Sequence, residues 1–203
     1  GGAADVIVLE KTAAIGGNAI VSGGFLEYIS APDELRTEMT DGYRQIIEEG
    51  IESICSTIRG RMERLDETVP GDIEKMNYLR AMLICAEGIC GLAERYADEA
   101  ERLAGQEKDG GRRAELLSIA SACRHVPRYP ARTFQEALQS LYLYQISIFM
   151  EQNAASYNPG RMDQYLYPYF KADLEKGILT EEKAQELLDC LWIKFSEPCL
   201  FQD

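Results

Sequence analysis

A chain of 203 residues with 46% hydrophobic content is long enough to bury a core, and its length suggests one domain, or a domain and a fragment. Its 21 Lys and Arg against 34 Asp and Glu leave a formal charge of -13, which repels nucleic acid phosphates and anionic lipid headgroups and excludes both as expected partners. No apolar run approaches the roughly 18 residues of a membrane span, and Gly1-Gly2-Ala3-Ala4 has no basic leader, so a soluble, cytoplasmic protein is expected, read from inside a longer frame because no initiator Met is present.

In chain order, Asp5-Val-Ile-Val-Leu9 is a β-branched run that predicts a short buried strand, followed by flexible turns at Gly16-Gly17-Asn18 and Ser22-Gly23-Gly24. From about Pro32 the texture changes to apolar residues at three- and four-residue intervals, the mark of amphipathic helices. The spacing predicts one helix from about Thr40 to Leu65 and a second from about Asp72, as its cap, to Ala104, packed as a hairpin. A third covers about Arg112 to Cys123 and is stopped by Pro127 and Pro130. Thr133 caps a strongly apolar helix over about Phe134 to Met150, expected to be buried on most sides. Beyond a loop from Glu151 to Arg161, a helix near Met162 to Lys176 ends at Gly177, and Thr180 opens the last one.

The six cysteines form no CxxC pair and mostly sit in apolar helical stretches, so reduced, buried thiols are expected over disulfides or a metal site. His125, the only histidine, lies between a helix end and a proline-rich turn, where a structural hydrogen bond is expected. The Glu151 to Arg161 loop leaves the end of a nearly all-apolar helix, where a pocket can form and where polar residues on rigid support are site candidates. Within it Arg161 is expected to pair with a carboxylate, and Asp163 to act as a helix N-terminal charge. Tyr165, Tyr167, Tyr169 and Trp192 are expected to pack in the core or at an interface.

The segment Asp5-Val-Ile-Val-Leu-Glu-Lys11, with Ile15-Gly-Gly-Asn18 and Ser22-Gly-Gly24, resembles the FAD-binding region of the fumarate reductase flavoproteins. The resemblance implies that Glu10 is a ribose ligand, with Gly16, Gly17 and Asn18 near the pyrophosphate or flavin. The preceding strand and GxGxxG turn, whose helix N-terminus holds the pyrophosphate, are absent, so FAD is expected only if this segment were part of a complete site.

A longer resemblance runs from about Ile51 to the end. It is carried by Thr133-Phe-Gln-Glu-Ala-Leu-Gln139, Glu151-Gln-Asn153, Pro159-Gly-Arg-Met-Asp-Gln-Tyr-Leu-Tyr-Pro-Tyr169, Gly177-Ile-Leu-Thr180, Ala184-Gln-Glu-Leu-Leu188 and Cys190-Leu-Trp-Ile-Lys-Phe195. Together these resemble the glycyl radical enzymes of the pyruvate formate-lyase and diol dehydratase-like superfamily. The expected organisation is a flavoprotein-like fragment over 1–45 and a pyruvate formate-lyase-like fragment over 46–203. The expected fold is mainly α, the helical portion of an α/β barrel preceded by the short strand and glycine-rich loop.

The resemblance implies a lyase or dehydratase acting on a small polar substrate, and a parent protein that is activated by a radical S-adenosylmethionine enzyme and forms a homodimer. It places Ala155, Ser156 and Tyr157 as substrate contacts, Ser156 foremost. Ala155 stands where the glycerol dehydratase type has histidine, which argues against a glycerol site. The family also needs a thiyl cysteine in a Gly-Cys-Val-Glu type loop and a radical glycine in an Arg-Val-x-Gly-Tyr type motif. None of the six cysteines fits the first, and the only Gly-Tyr pair, Gly42-Tyr43, lies in a predicted helix. This segment alone is therefore expected to be inactive, with a fragment of an FAD-dependent fumarate reductase-type oxidoreductase, or a helical module lacking catalysis, as the other readings.

Overall fold

The computed structural model describes residues 42–152 and 159–197, and among them it is all helix and turn. Seven helices follow in order: α1 (Gly42–Glu49), α2 (Ile51–Met62), α3 (Pro70–Gln106), α4 (Gly110–His125), α5 (Phe134–Gln152), α6 (Met162–Glu175) and α7 (Glu181–Ser196). The expected strand at residues 5–9 and its glycine turns lie outside the described residues.

The helix expected over Thr40 to Leu65 is two helices, broken at Gly50. Gly50 sits at φ 77, a left-handed conformation that glycine adopts without a Cβ penalty. The break serves docking. Ile51 and Glu52 donate their backbone N–H groups to the carbonyls of Pro127 and Arg128, both at 2.9 Å, and Ala131 donates to the Ile47 carbonyl at 2.9 Å. The first N–H groups of a helix have no partner within it. Here the turn after α4 supplies that partner, a long-range pairing that no local pattern announces.

The second helix starts at Pro70, two residues before the expected cap. Val69 is the N-cap and makes no side-chain cap bond, while Pro70, lacking an N–H and preset in φ, is suited to the first turn. Asp72 instead reaches back to accept the Asp66 N–H at 3.2 Å. α3 is 37 residues long, about 55 Å. It packs along α4 through Ala93, Ala97, Ala100, Ala120 and Cys123, small side chains that let the two helices approach closely. Asp109 caps α4, accepting from Gly111 and Arg112 at 2.7 and 3.0 Å.

α5 is the hub, in contact with α1, α3, α4, α6 and α7. Phe134, Ala137, Leu138, Leu141, Leu143, Tyr144 and Ile148 are all buried, as its nearly continuous apolar pattern predicts. Thr133 caps it, its hydroxyl accepting from Glu136 N at 3.2 Å. α6 ends where expected: Gly177, at φ 69, lets Gly177 N and Ile178 N bond back to the Leu174 and Asp173 carbonyls, both at 3.0 Å. Thr180 caps α7 by accepting from Lys183 N at 3.2 Å.

Candidate functional site: the end of α5 and the turn into α6

The candidate segment is reached along α5, two of whose buried polar side chains, Gln145 and Ser147, are hydrogen-bonded. Gln145 is buried, and its Oε1 accepts a hydrogen bond from the hydroxyl of Tyr43 in α1. The Tyr43 ring also meets Tyr144 edge-on, with centroids 4.9 Å apart. Two residues on, the Ser147 hydroxyl donates to the Leu143 carbonyl at 2.7 Å. From α7, Phe195 stacks against Tyr142 at 6.4 Å. A buried polar group is costly unless paired, so the Gln145 and Ser147 bonds favour this rotation of α5.

On the returning side, the Tyr165 hydroxyl donates to the Pro159 carbonyl at 2.7 Å. Gly160 turns the chain at φ 68, and Met162 N donates to the Gly160 carbonyl at 3.0 Å. Arg161 makes a forked pair with Asp163, with Nε–Oδ1 at 2.8 Å and Nη2–Oδ2 at 2.6 Å, so the expected carboxylate partner is its neighbour in the first turn of α6. The Arg161 guanidinium holds the Asp163 carboxyl below its usual range. Both groups are largely exposed, so the pair orders the helix start more than it stabilises it.

The residues expected to touch substrate, Ala155, Ser156 and Tyr157, lie outside the described residues, as do Glu10, Gly16, Gly17 and Asn18. The structure thus places the two supports of the loop. Tyr43, Gln145 and Tyr165 are the supporting residues that local sequence reasoning missed as a set. One signal was available: Gln145 is an amide in the middle of a helix that otherwise reads as core.

Other expectations divide. His125 Nε2 meets the Pro130 carbonyl at 3.0 Å, a structural contact that stabilises the turn docked on α2. Tyr165 is core and Tyr169 packs against it, whereas Tyr167 and Trp192 are 57% and 56% exposed. Cys55, Cys90 and Cys123 are buried free thiols, Cys85 is half-buried and Cys190 is exposed. Among the described residues no group of His, Cys, Asp or Glu is placed to hold a metal ion, and no helix is long and apolar enough to cross a membrane.

A second polar cluster serves architecture. Arg128, in the docked turn, reaches Glu52 at 3.3 Å, Glu87 at 3.4 Å and Glu94 at 3.3 Å, while Arg59 reaches Glu52 at 2.8 Å and Glu87 at 3.2 Å. Two cations thereby tie α2, α3 and the turn together. Every carboxylate in it is engaged, which suits a clasp rather than acid-base work.

The family model for pyruvate formate lyase-like proteins matches residues 14–202, beginning within the N-terminal segment and taking in Ile15-Gly-Gly-Asn18. Among curated relatives, the isethionate sulfite-lyase of Bilophila wadsworthia (strain 3_1_6) is 37% identical over 157 residues, 76% of this chain and 19% of that protein. The chain therefore spans about a fifth of the length of this curated relative. Among solved structures, the B12-independent glycerol dehydratase from Clostridium butyricum aligns with a TM-score of 0.75 and 33% identity, covering 79% of this chain and 20% of that one. A glycyl radical enzyme from Archaeoglobus fulgidus aligns with a TM-score of 0.73 and 37% identity, over 76% of this chain and 20% of its own. The family model and these relatives agree, and the chain belongs to the pyruvate formate lyase-like family of glycyl radical enzymes.

Proposed function

We propose that this chain is the helical portion of a glycyl radical lyase or dehydratase that acts on a small polar substrate, and that the Ala155-Ser156-Tyr157 segment supplies substrate contacts. The observation that carries the reading is the loop's setting. The helices on either side of it belong to the main core, α5 being tied to α1 by the Tyr43–Gln145 bond and α6 to the chain just before it by the bond from Tyr165 to the Pro159 carbonyl. The names of its relatives point to small polar molecules, isethionate and glycerol among them. Alanine at position 155 disfavours glycerol.

In this reading the hydrogen-abstracting cysteine and the radical glycine lie in the polypeptide outside these 203 residues. A radical S-adenosylmethionine enzyme installs the radical, and the protein works in the cytoplasm, as a homodimer. This chain's own share of the chemistry is to bind and orient: a hydroxyl such as that of Ser156, fixed in place, recognises one substrate oxygen and so decides which hydrogen faces the abstracting sulfur.

The test is anaerobic expression of the whole polypeptide with an activating enzyme, followed by electron paramagnetic resonance for a glycyl radical and turnover with isethionate, trans-4-hydroxy-L-proline and 1,2-propanediol. A radical signal with lyase or dehydratase turnover supports the proposal. Turnover by the isolated 203-residue chain overturns it.

A further inference from the structure

Among the described residues the half-buried Lys and Arg side chains are Arg61, Lys75 and Arg128. Lys75 is held by Asp72 at 3.4 Å, and Arg128 by Glu52, Glu87 and Glu94. Arg61 differs: among those residues its guanidinium has neither an ion pair nor a hydrogen bond. In a chain with 34 acids against 21 bases, a partly buried cation would be expected to find a carboxylate. A guanidinium withdrawn from water is favoured when an anion meets it.

Arg61 borders a cleft of about 30 Å³ where α1, α2 and α3 meet. The walls are Ile54 and Ile58 from α2 with Leu79 and Met82 from α3, all nearly fully buried. Space of that size admits about two water-sized groups, and walls of hydrocarbon suit methylenes better than water, which needs several polar partners. The other polar side chains on the rim are already engaged. Thr57 donates its hydroxyl proton to the Ser53 carbonyl at 3.1 Å, and Gln45 donates to Glu49 at 3.3 Å. Arg61 is the charged group lining the cleft, a planar fork of donors at the mouth of an apolar slot.

We propose that this cleft binds a small organic monoanion, a carboxylate carrying an apolar tail of about two carbons. The Arg61 fork takes the two carboxylate oxygens side by side, and the tail enters between Ile54, Ile58, Leu79 and Met82. A dianion is disfavoured, because one guanidinium stands against a net charge of -13. An arginine whose stem merely shields Leu79 and Met82 would be replaced without loss by methionine, which also covers apolar surface.

The experiment titrates propionate into the full polypeptide, as wild type, Arg61→Met and Thr57→Phe, with formate and propanol as control ligands. Saturation-transfer NMR reads binding, and circular dichroism checks the fold of each variant. Wild type is expected to bind propionate with a dissociation constant on the order of 1 mM. Arg61→Met is expected to weaken it roughly tenfold or more, through loss of the charge-assisted bonds. Formate lacks the tail and propanol lacks the charge, so each is expected to bind roughly tenfold more weakly than propionate. Thr57 is exposed, and phenylalanine there closes the cleft from its rim with Arg61 in place, so Thr57→Phe is expected to lose propionate binding as well. Equal propionate affinity in wild type and Arg61→Met overturns the proposal, as does formate binding as tightly as propionate. Should Arg61→Met fail to fold, Thr57→Phe decides: propionate binding retained in that variant overturns the site.

Discussion

The carboxylate of Asp173, near the end of α6, accepts the backbone N–H of Phe134 at the start of α5, with 2.8 Å between Oδ2 and N. Asp173 is 3% exposed, and its backbone carbonyl meanwhile accepts from Ile178 and Leu179 at 3.0 and 3.2 Å. One residue therefore closes the N-terminus of the hub helix and the C-terminus of its neighbour. The negative charge lies at the positive end of the α5 dipole, where it is favoured.

Replacing Asp173 with alanine removes the acceptor and leaves a buried N–H unpaired. The expected loss is about 2 kcal/mol, read as a lower urea midpoint by circular dichroism. Asp173→Asn keeps an amide oxygen at the same place and is expected to lose less. Equal losses in the two variants would show that the charge, and not the acceptor, matters.

Gly50 and Gly160 both have positive φ, at 77 and 68, but stand in opposite surroundings. A Cβ at Gly50 would lie 2.6 Å from the Arg128 carbonyl oxygen and 2.7 Å from the Tyr129 Cα, backbone atoms that cannot step aside. Gly50→Ala is expected to cost about 3 kcal/mol or more, combining left-handed strain with the clash. Gly160→Ala, where the added Cβ meets nothing among the described residues, is expected to cost only about 1 kcal/mol. Thermal denaturation of the pair separates steric exclusion from backbone preference.

Glu136 is 6% exposed, and burial by itself raises its carboxyl. Hydrogen bonds from Arg132, including its backbone N–H at 2.7 Å, outweigh that and hold the carboxyl below its ordinary value of 4.5. A group depressed in the folded state adds stability that is complete above its unfolded value and is lost as pH falls through the folded one. Stability should therefore decline below the ordinary carboxylate range. Glu52, lowered chiefly by its bond from Arg59, contributes to the same decline. Glu136→Gln is expected to be less stable than wild type at neutral pH and to show a shallower loss between neutral pH and pH 3. An identical slope in acid titrations followed by circular dichroism would count against Glu136.

The thiols should separate by burial. Desolvation pushes Cys90 up to about 12 and Cys123 up to about 11, so both stay protonated at pH 8 and inert to Ellman's reagent. Cys190 is exposed and is expected to react first, with half-buried Cys85 following. In a Cys199→Ser background, titration before and after denaturation is expected to expose the buried thiols only when the chain unfolds.

Helix existence, type and several ends were legible because their causes are local. The apolar run of α5 predicts a buried helix, Thr133 and Thr180 supply caps within three residues, and Gly177 provides the left-handed turn that ends α6. The family follows from ordered motifs along the chain, and the candidate segment follows a helix, α5, that is buried as its sequence predicts. The supports of that loop were not legible, since Tyr43 and Gln145 lie 102 residues apart and nothing in the spacing of either names the other.

What the amino-acid sequence determined by itself was the helical class, the family and the identity of the hub, because periodicity, capping and motif order are properties of neighbours along the chain. Tertiary structure alone decided where α1 ends and α2 begins, which carbonyls satisfy the free N–H groups of α2, and which side chain closes α5. Each of these is a bond between groups far apart in sequence: Ile51 with Pro127, Glu52 with Arg128, Phe134 with Asp173. The physical reason is that a buried polar group must find a partner, and which partner it finds is settled by packing.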